Sequence, residues 1–156
     1  MASTYTVDAS VFLNAFNPYE EGHEESHRLL TLLQERATPI VVPTLLLPEV
    51  AAAVSRGREE DDLAREFAAA LSRLPHLVLV PLDTTLAQQA AASAARYRLR
   101  GSDAVYVAVA LRFGSTLITL DREQRERAAD ALRAHQPAEI LVEEGVYGPL
   151  KPSEQE

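Results

Sequence analysis

The stretch Thr4-Tyr5-Thr6-Val7-Asp8-Ala9-Ser10-Val11-Phe12-Leu13 decides the fold. Thr4 to Val7 is β-branched and aromatic, a composition that suits a pleated, half-buried surface. A carboxylate, a small residue and a hydroxyl follow, and apolar residues resume at Val11, Phe12 and Ala15. This order predicts a buried strand running into a helix, with Asp8 at the carboxyl end of the strand. In open α/β sheets, ligands sit in the crevice outside those carboxyl ends. Ser10 is placed either to cap the helix or to steady the Asp8 carboxylate. Taken alone, Asp8 reads best as a helix cap. Three further acids at comparable junctions change that balance.

Working outward, Asn17-Pro18 marks a loop, and Glu20 to Arg36 reads as an amphipathic helix with Leu29, Leu30, Leu32 and Leu33 inward. Pro39 to Val42 is a short apolar strand. Thr44 to Arg56 is helical in period, with Pro48 in its early turns and Gly57 as its stop. Glu60 to Arg73 is a further helix, and Leu77 to Val80 a third strand. Asp83 caps an Ala-rich helix running to about Arg98. Ser102 opens the next helix, Asp103 to Phe113, which Gly114 ends. Thr116 to Leu120 is predicted as the fourth strand, Arg122 to Ala134 as a last helix, and Glu139 to Val142 as a fifth strand. Strands alternating with helices, without repeats, are the signature of a parallel sheet covered on both faces. The expectation is an α/β fold: a three-layer α/β/α domain over residues 1–148, its mainly parallel sheet of about five strands, and a disordered tail over 149–156.

With 156 residues, one domain can bury a core without staples. Cysteine is absent, which removes disulfides and thiolate metal sites and fits a reducing cytoplasm. No basic leader with an apolar run opens the chain, and no apolar run approaches the length needed to span a bilayer. The net charge of −8 argues against a broad surface for coating nucleic acid. Its distribution is uneven. Residues 1–95 carry 6 Arg against 13 acids, residues 96–133 carry 8 Arg against 5 acids, and residues 134–156 carry 1 Lys against 5 acids. The basic stretch therefore surrounds Asp103 and Asp121. Of its arginines, Arg100, just before the Asp103 helix, and Arg122, just after Asp121, are the best placed to meet a phosphate beside those acids.

Asp8, Glu49, Asp103 and Asp121 each stand where a strand ends or a helix begins. Each also has an ordinary explanation. Asp121 with Gln124 makes a passable capping box, and Asp103 gains from the helix dipole in a first turn. Glu49 is harder to explain away among Leu45, Leu46, Leu47, Val50 and Ala51. Asp103 is harder still, because Ala104 to Leu111 is apolar all round and must be buried. An acid at the head of a buried helix needs a partner or a metal. Carboxylates meeting in a low-dielectric crevice repel unless protonated or joined by a cation. All-oxygen ligands favour Mg²⁺ or Mn²⁺, and such ions activate water and neutralise leaving-group charge when the substrate is a phosphate ester.

Val7-Asp8-Ala9-Ser10, Pro48-Glu49-Val50, Ser102-Asp103-Ala104 with Tyr106 and Ala108, and Leu117-Ile118-Thr119-Leu120-Asp121 together resemble the PIN-domain ribonucleases in order and spacing. The likeness is closest to the VapC-type toxins of prokaryotic toxin–antitoxin pairs, and it covers about residues 4–142. The run Tyr97-Arg98-Leu99-Arg100-Gly101-Ser102 also looks like that family's approach to its third acid. The resemblance implies a divalent-metal-dependent endoribonuclease in which Asp8, Glu49, Asp103 and Asp121 hold Mg²⁺ or Mn²⁺ and activate water. Ser10, Ser102 and Glu123 are the expected supporting residues, Glu123 as a sharer of the Asp121 role. The resemblance further implies an RNA substrate, a homodimer and inhibition by a cognate antitoxin.

Other classes compete with this reading. His23-Glu24-Glu25-Ser26-His27 has the HExxH form of zinc proteases. Its neighbours, however, are Tyr19, Glu20, Glu21, Gly22 and Arg28, a solvated helix start where a zinc-protease helix is apolar. A phosphatase of the haloacid dehalogenase type requires a second Asp two residues after the first, where this chain has Ser10. A PIN fold that binds without cleaving is the remaining alternative, against which the presence of all four acids speaks.

Overall fold

The computed structural model describes residues 3–58 and 60–148. Five strands, β1 (Tyr5–Val7), β2 (Ile40–Pro43), β3 (Leu77–Val80), β4 (Thr116–Ile118) and β5 (Ala134–His135), form one sheet in the order β3-β2-β1-β4-β5. Every pairing is parallel. Among the described residues eight helices surround it: α1 (Ala9–Phe16), α2 (His23–Glu35), α3 (Leu46–Arg58), α4 (Asp61–Ser72), α5 (Thr84–Tyr97), α6 (Gly101–Phe113), α7 (Arg122–Ala128) and α8 (Pro137–Glu143). The architecture is the expected three-layer α/β/α one. β1 is central and buried along its length, as its β-branched and aromatic residues require.

Helix α6 packs across β2, β1 and β4, with α5 against it. Ala104 to Ala110 are all buried, which accounts for a helix with no polar face. Helices α1 and α8 each pack against α2, and α3 lies against α4. Leu29 and Leu33 of α2 and Ile140 and Leu141 of α8 are fully buried in the shared core.

Four local expectations are corrected. Glu139 to Val142 is helix, not strand: Pro137 starts α8 at a position that needs no N–H donor, and Glu139 Oε1 accepts from the Gln136 N–H at 3.2 Å. The fifth strand is instead the two residues Ala134–His135, so the helix after Asp121 ends at Ala128 rather than Ala134. Gly57 does not stop α3, which runs to Arg58. Ser102 does not cap α6: the helix begins at Gly101 with Arg100 extended at the N-cap position, and Ser102 is exposed. The tail expected to be disordered lies outside the described residues. Asp83, by contrast, is the plain cap expected, its Oδ1 accepting from the Leu86 N–H at 2.9 Å.

Candidate active site

β1 and β4 are neighbours in space but lie far apart in sequence, so the sheet changes winding direction between them. The crevice at such a point, beyond the carboxyl ends of the strands, is where an α/β sheet takes its ligand. Asp8 follows β1 directly and is 8 % exposed. Its N–H donates to Ile118 O at 2.9 Å, extending the ladder past both strands. Its Oδ2 accepts from the Ser10 N–H at 3.1 Å and from the Thr119 hydroxyl at 3.3 Å. Asp8 thus caps α1 and lines the crevice as well.

The β4 side is tied to it through two hydroxyls. Ser10 Oγ accepts from the Leu120 N–H at 3.2 Å, and Thr119 Oγ1 accepts from the Asp121 N–H at 3.1 Å. Asp121 caps α7, its Oδ1 accepting from the Gln124 N–H at 3.1 Å, which leaves Oδ2 facing outward. Arg125 donates to Thr119 O at 3.0 Å and braces the turn from the other side.

The first turn of α3 supplies Glu49, whose Oε1 accepts from the Tyr106 hydroxyl at 2.7 Å. The first turn of α6 supplies Asp103. Arg100 closes the arrangement: its Nε donates to Asp103 Oδ2 at 3.1 Å and its terminal nitrogen to Asp121 Oδ2. The guanidinium lies on the solvent side, 63 % exposed, whereas the two carboxylates beneath it are 15 % and 28 % exposed.

Asp8, Glu49 and Asp103 each feel the charge of acidic neighbours. Burial pushes the Asp8 carboxyl up from the ordinary carboxylate range, the Ser10 and Thr119 hydrogen bonds oppose this, and the Asp121 charge adds to it. Burial likewise raises Glu49, against the Tyr106 hydrogen bond and with the charges of Asp8 and Asp103. Asp103 is raised by burial and by Asp8 and Asp121, while Arg100 pulls it back. Such a set, desolvated and mutually repelling, gains from any cation placed among it. The donor set is all oxygen and fits a hard divalent ion, and Arg100 already stands in as the positive charge. As the side chains stand, no three His, Asp or Glu residues among the described ones are spaced to ligate a single ion. Asp103 and Asp121 both accept from the Arg100 guanidinium.

Of the other expected site residues, Ser10 bonds within the crevice and Ser102 does not. Glu123 pairs with Arg127 at 2.5 Å. Arg122 pairs with Glu126 at 2.8 Å along the exposed face of α7. Sequence reasoning missed Thr119 as a site residue, although a lone hydroxyl between Ile118 and Leu120, two residues before Asp121, was a signal for it. It also missed Tyr106 as the partner of Glu49. His23 donates from Nδ1 to Asn14 O at 2.9 Å, and its ring lies 5.6 Å from that of His27. No group of three possible ligands forms around that pair among the described residues.

Solved structures share this shape, three of them as follows. VapC20 from Mycobacterium tuberculosis, described as a sarcin-ricin loop cleaving toxin, is 20% identical over 83% of this chain and 96% of that one, with a TM-score of 0.66. VapBC2 from Rickettsia felis, solved bound to a DNA fragment from its promoter, is 13% identical over 85% and 98%, with a TM-score of 0.64. FitAcB from Neisseria gonorrhoeae is 17% identical over 86% and 98%, with a TM-score of 0.62. At these identities the likeness is one of fold. No curated protein matches the chain. A family model does: the PIN domain, over residues 5–130, a span that holds β1 to β4 and all four acids. The chain belongs to the PIN-domain family.

Proposed function

We propose that this protein is a divalent-metal-dependent endoribonuclease that hydrolyses RNA phosphodiester bonds and serves as the toxin of a toxin–antitoxin pair. The observation that carries the reading is the gathering of Asp8, Glu49, Asp103 and Asp121 at the carboxyl edge of a parallel sheet in a PIN-domain chain. The toxin assignment is supported by the fold shared with VapC20 and with chains of toxin–antitoxin complexes.

Asp8, Glu49, Asp103 and Asp121 would hold Mg²⁺ or Mn²⁺, which when bound supplies an activated water and neutralises charge on the leaving oxygen. The chain's own work is positioning. Ser10 and Thr119 fix the Asp8 carboxylate by hydrogen bonds, so it need not reorganise during the reaction. Tyr106 fixes Glu49 in the same way. Arg100 lies at the mouth of the crevice with a planar set of donors suited to phosphate, and Arg122 stands on the first turn beyond Asp121 as a second contact. These local cations give an acidic protein a place to hold RNA. An antitoxin partner, a homodimeric state and a cytoplasmic location complete the proposal. Among the described residues no helix is long and apolar enough to cross a membrane.

The test is cleavage of single-stranded RNA by purified protein. Cleavage should require Mg²⁺ or Mn²⁺, and both Asp8→Asn and Asp103→Asn should lower it at least about 100-fold, since loss even of a residue that merely orients a metal ligand costs 10- to 100-fold. RNA bound but left uncut by the wild type under all divalent ions would replace the nuclease with a binding module.

A further inference from the structure

Two partners compete for the Arg100 guanidinium. Its guanidinium spans Asp103 and Asp121, which are two of the four proposed metal ligands. The same group, at the mouth of the crevice, is the best-placed donor for a phosphate. Its Nε and one terminal nitrogen are engaged by the carboxylates, so a phosphate taken by that edge of the fork has to displace them.

Among the described residues the guanidinium makes no side-chain hydrogen bond besides these two. Arg100 occupies the N-cap of α6 with an extended backbone and makes no side-chain cap bond, so the helix start does not depend on it. Its side chain lies outside the core and covers the acids from the solvent side. Asp103 and Asp121 come from α6 and from the cap of α7, and the residues beneath them are held by independent bonds through Thr119, Gln124 and Ser10. Removing the guanidinium leaves that frame in place.

We propose that Arg100 is an exchangeable counter-ion: it neutralises Asp103 and Asp121 until a divalent cation displaces it, and the released guanidinium then takes the RNA phosphate. The inference rests on the metal-dependent nuclease reading above. A divalent ion competes for the same carboxylate oxygens and repels the guanidinium once among them. Metal binding therefore frees a phosphate donor, and by linkage phosphate binding must tighten metal binding by the same factor. Arg100 acts here as a substrate-binding residue that couples two ligands.

The experiment measures Mn²⁺ affinity by the loss of the free-ion EPR signal, without RNA, for the wild type, Arg100→Ala, Arg127→Ala and Asp8→Asn. Arg127 also lies in the basic stretch but pairs with Glu123 rather than with the four acids, so it controls for net charge. Circular dichroism checks each fold. Arg100→Ala should bind Mn²⁺ at least about fivefold more tightly than the wild type, the lower end of ordinary coupling, while Arg127→Ala stays within twofold of it and Asp8→Asn binds weakly. Anisotropy of a labelled 2′-O-methyl RNA at fixed ionic strength should show affinity rising with Mg²⁺ in the wild type, with that gain lost in Arg100→Ala. Equal or weaker Mn²⁺ binding in Arg100→Ala overturns the exchange and leaves the nuclease reading intact. Equal tightening in Arg127→Ala overturns it as well, by reducing the effect to charge. Mn²⁺ that binds none of the proteins, or binds Asp8→Asn as well as the wild type, overturns the nuclease reading and the exchange with it.

Discussion

The Tyr106 hydroxyl donates to Glu49 Oε1 at 2.7 Å, joining the buried helix α6 to the first turn of α3. Burial and the Glu49 charge push the Tyr106 hydroxyl far above its usual range, so it remains a donor at every working pH. Tyr106→Phe keeps the ring and removes the donor. The half-buried carboxylate then loses its partner, at a cost of about 1–3 kcal/mol in urea unfolding. Mn²⁺ affinity should fall about 10- to 100-fold, as when a residue orienting a metal ligand is removed. Unchanged metal affinity would reduce Tyr106 to a packing residue.

The Asp8 carboxyl, raised by burial, sets a pH dependence for the metal-free protein. In the window between its unfolded and folded values, the native state binds more protons than the unfolded one. Stability from this group is complete below the unfolded value and is lost as pH rises through the folded one. Asp8→Asn carries no such burden. In EDTA it should therefore be more stable than the wild type at neutral pH, with the difference closing as pH falls into the ordinary carboxylate range. Thermal melts of both proteins across that range check the sign, and a gap that widens toward acid would contradict it.

Helix α8 lies beyond the span of the family model, yet Ile140 and Leu141 are fully buried. Ile140→Ala should cost about 2–5 kcal/mol, the range for a large core side chain truncated to alanine. Below the melting point, metal-dependent cleavage should survive, because α8 contributes none of the four acids. Urea denaturation and the cleavage assay separate the two effects.

The HExxH pair offers a test of the competing chemistry. His23→Ala with His27→Ala removes both rings and one hydrogen bond to Asn14 O, a loss of about 0.5–1.5 kcal/mol in stability. RNA cleavage should be unchanged within experimental error. An abolished activity would hand the chemistry to the histidines.

The sequence displayed some of this more clearly than the rest, for physical reasons. Tyr5 to Val7 and Ala104 to Ala110 announce themselves because a segment buried on every side has no polar face to blur the pattern. Ile140-Leu141-Val142 misleads because a short apolar run fits strand and helix equally, and only Pro137 with Gln136 and Glu139 decides it. Gly101-Ser102 imitates a cap because serine before an acid is the usual wording of a helix start, whereas Arg100 holds that position through backbone geometry alone. The acids could be named because each sits at an element boundary. The Arg100 bridge could not, since Asp121 lies 21 residues further along and only the folded sheet brings the two together.

The seam between β1 and β4 also affects how the protein comes into being. The Thr119–Asp8 bond closes a separation of 111 residues, and Asp103 and Asp121 both come late in the chain. A growing polypeptide that has emerged only as far as α5 carries Asp8 and Glu49 but neither of their late counterparts. On the proposed activity, an unfinished chain that lacks Asp103 and Asp121 is inert until the late strands have docked.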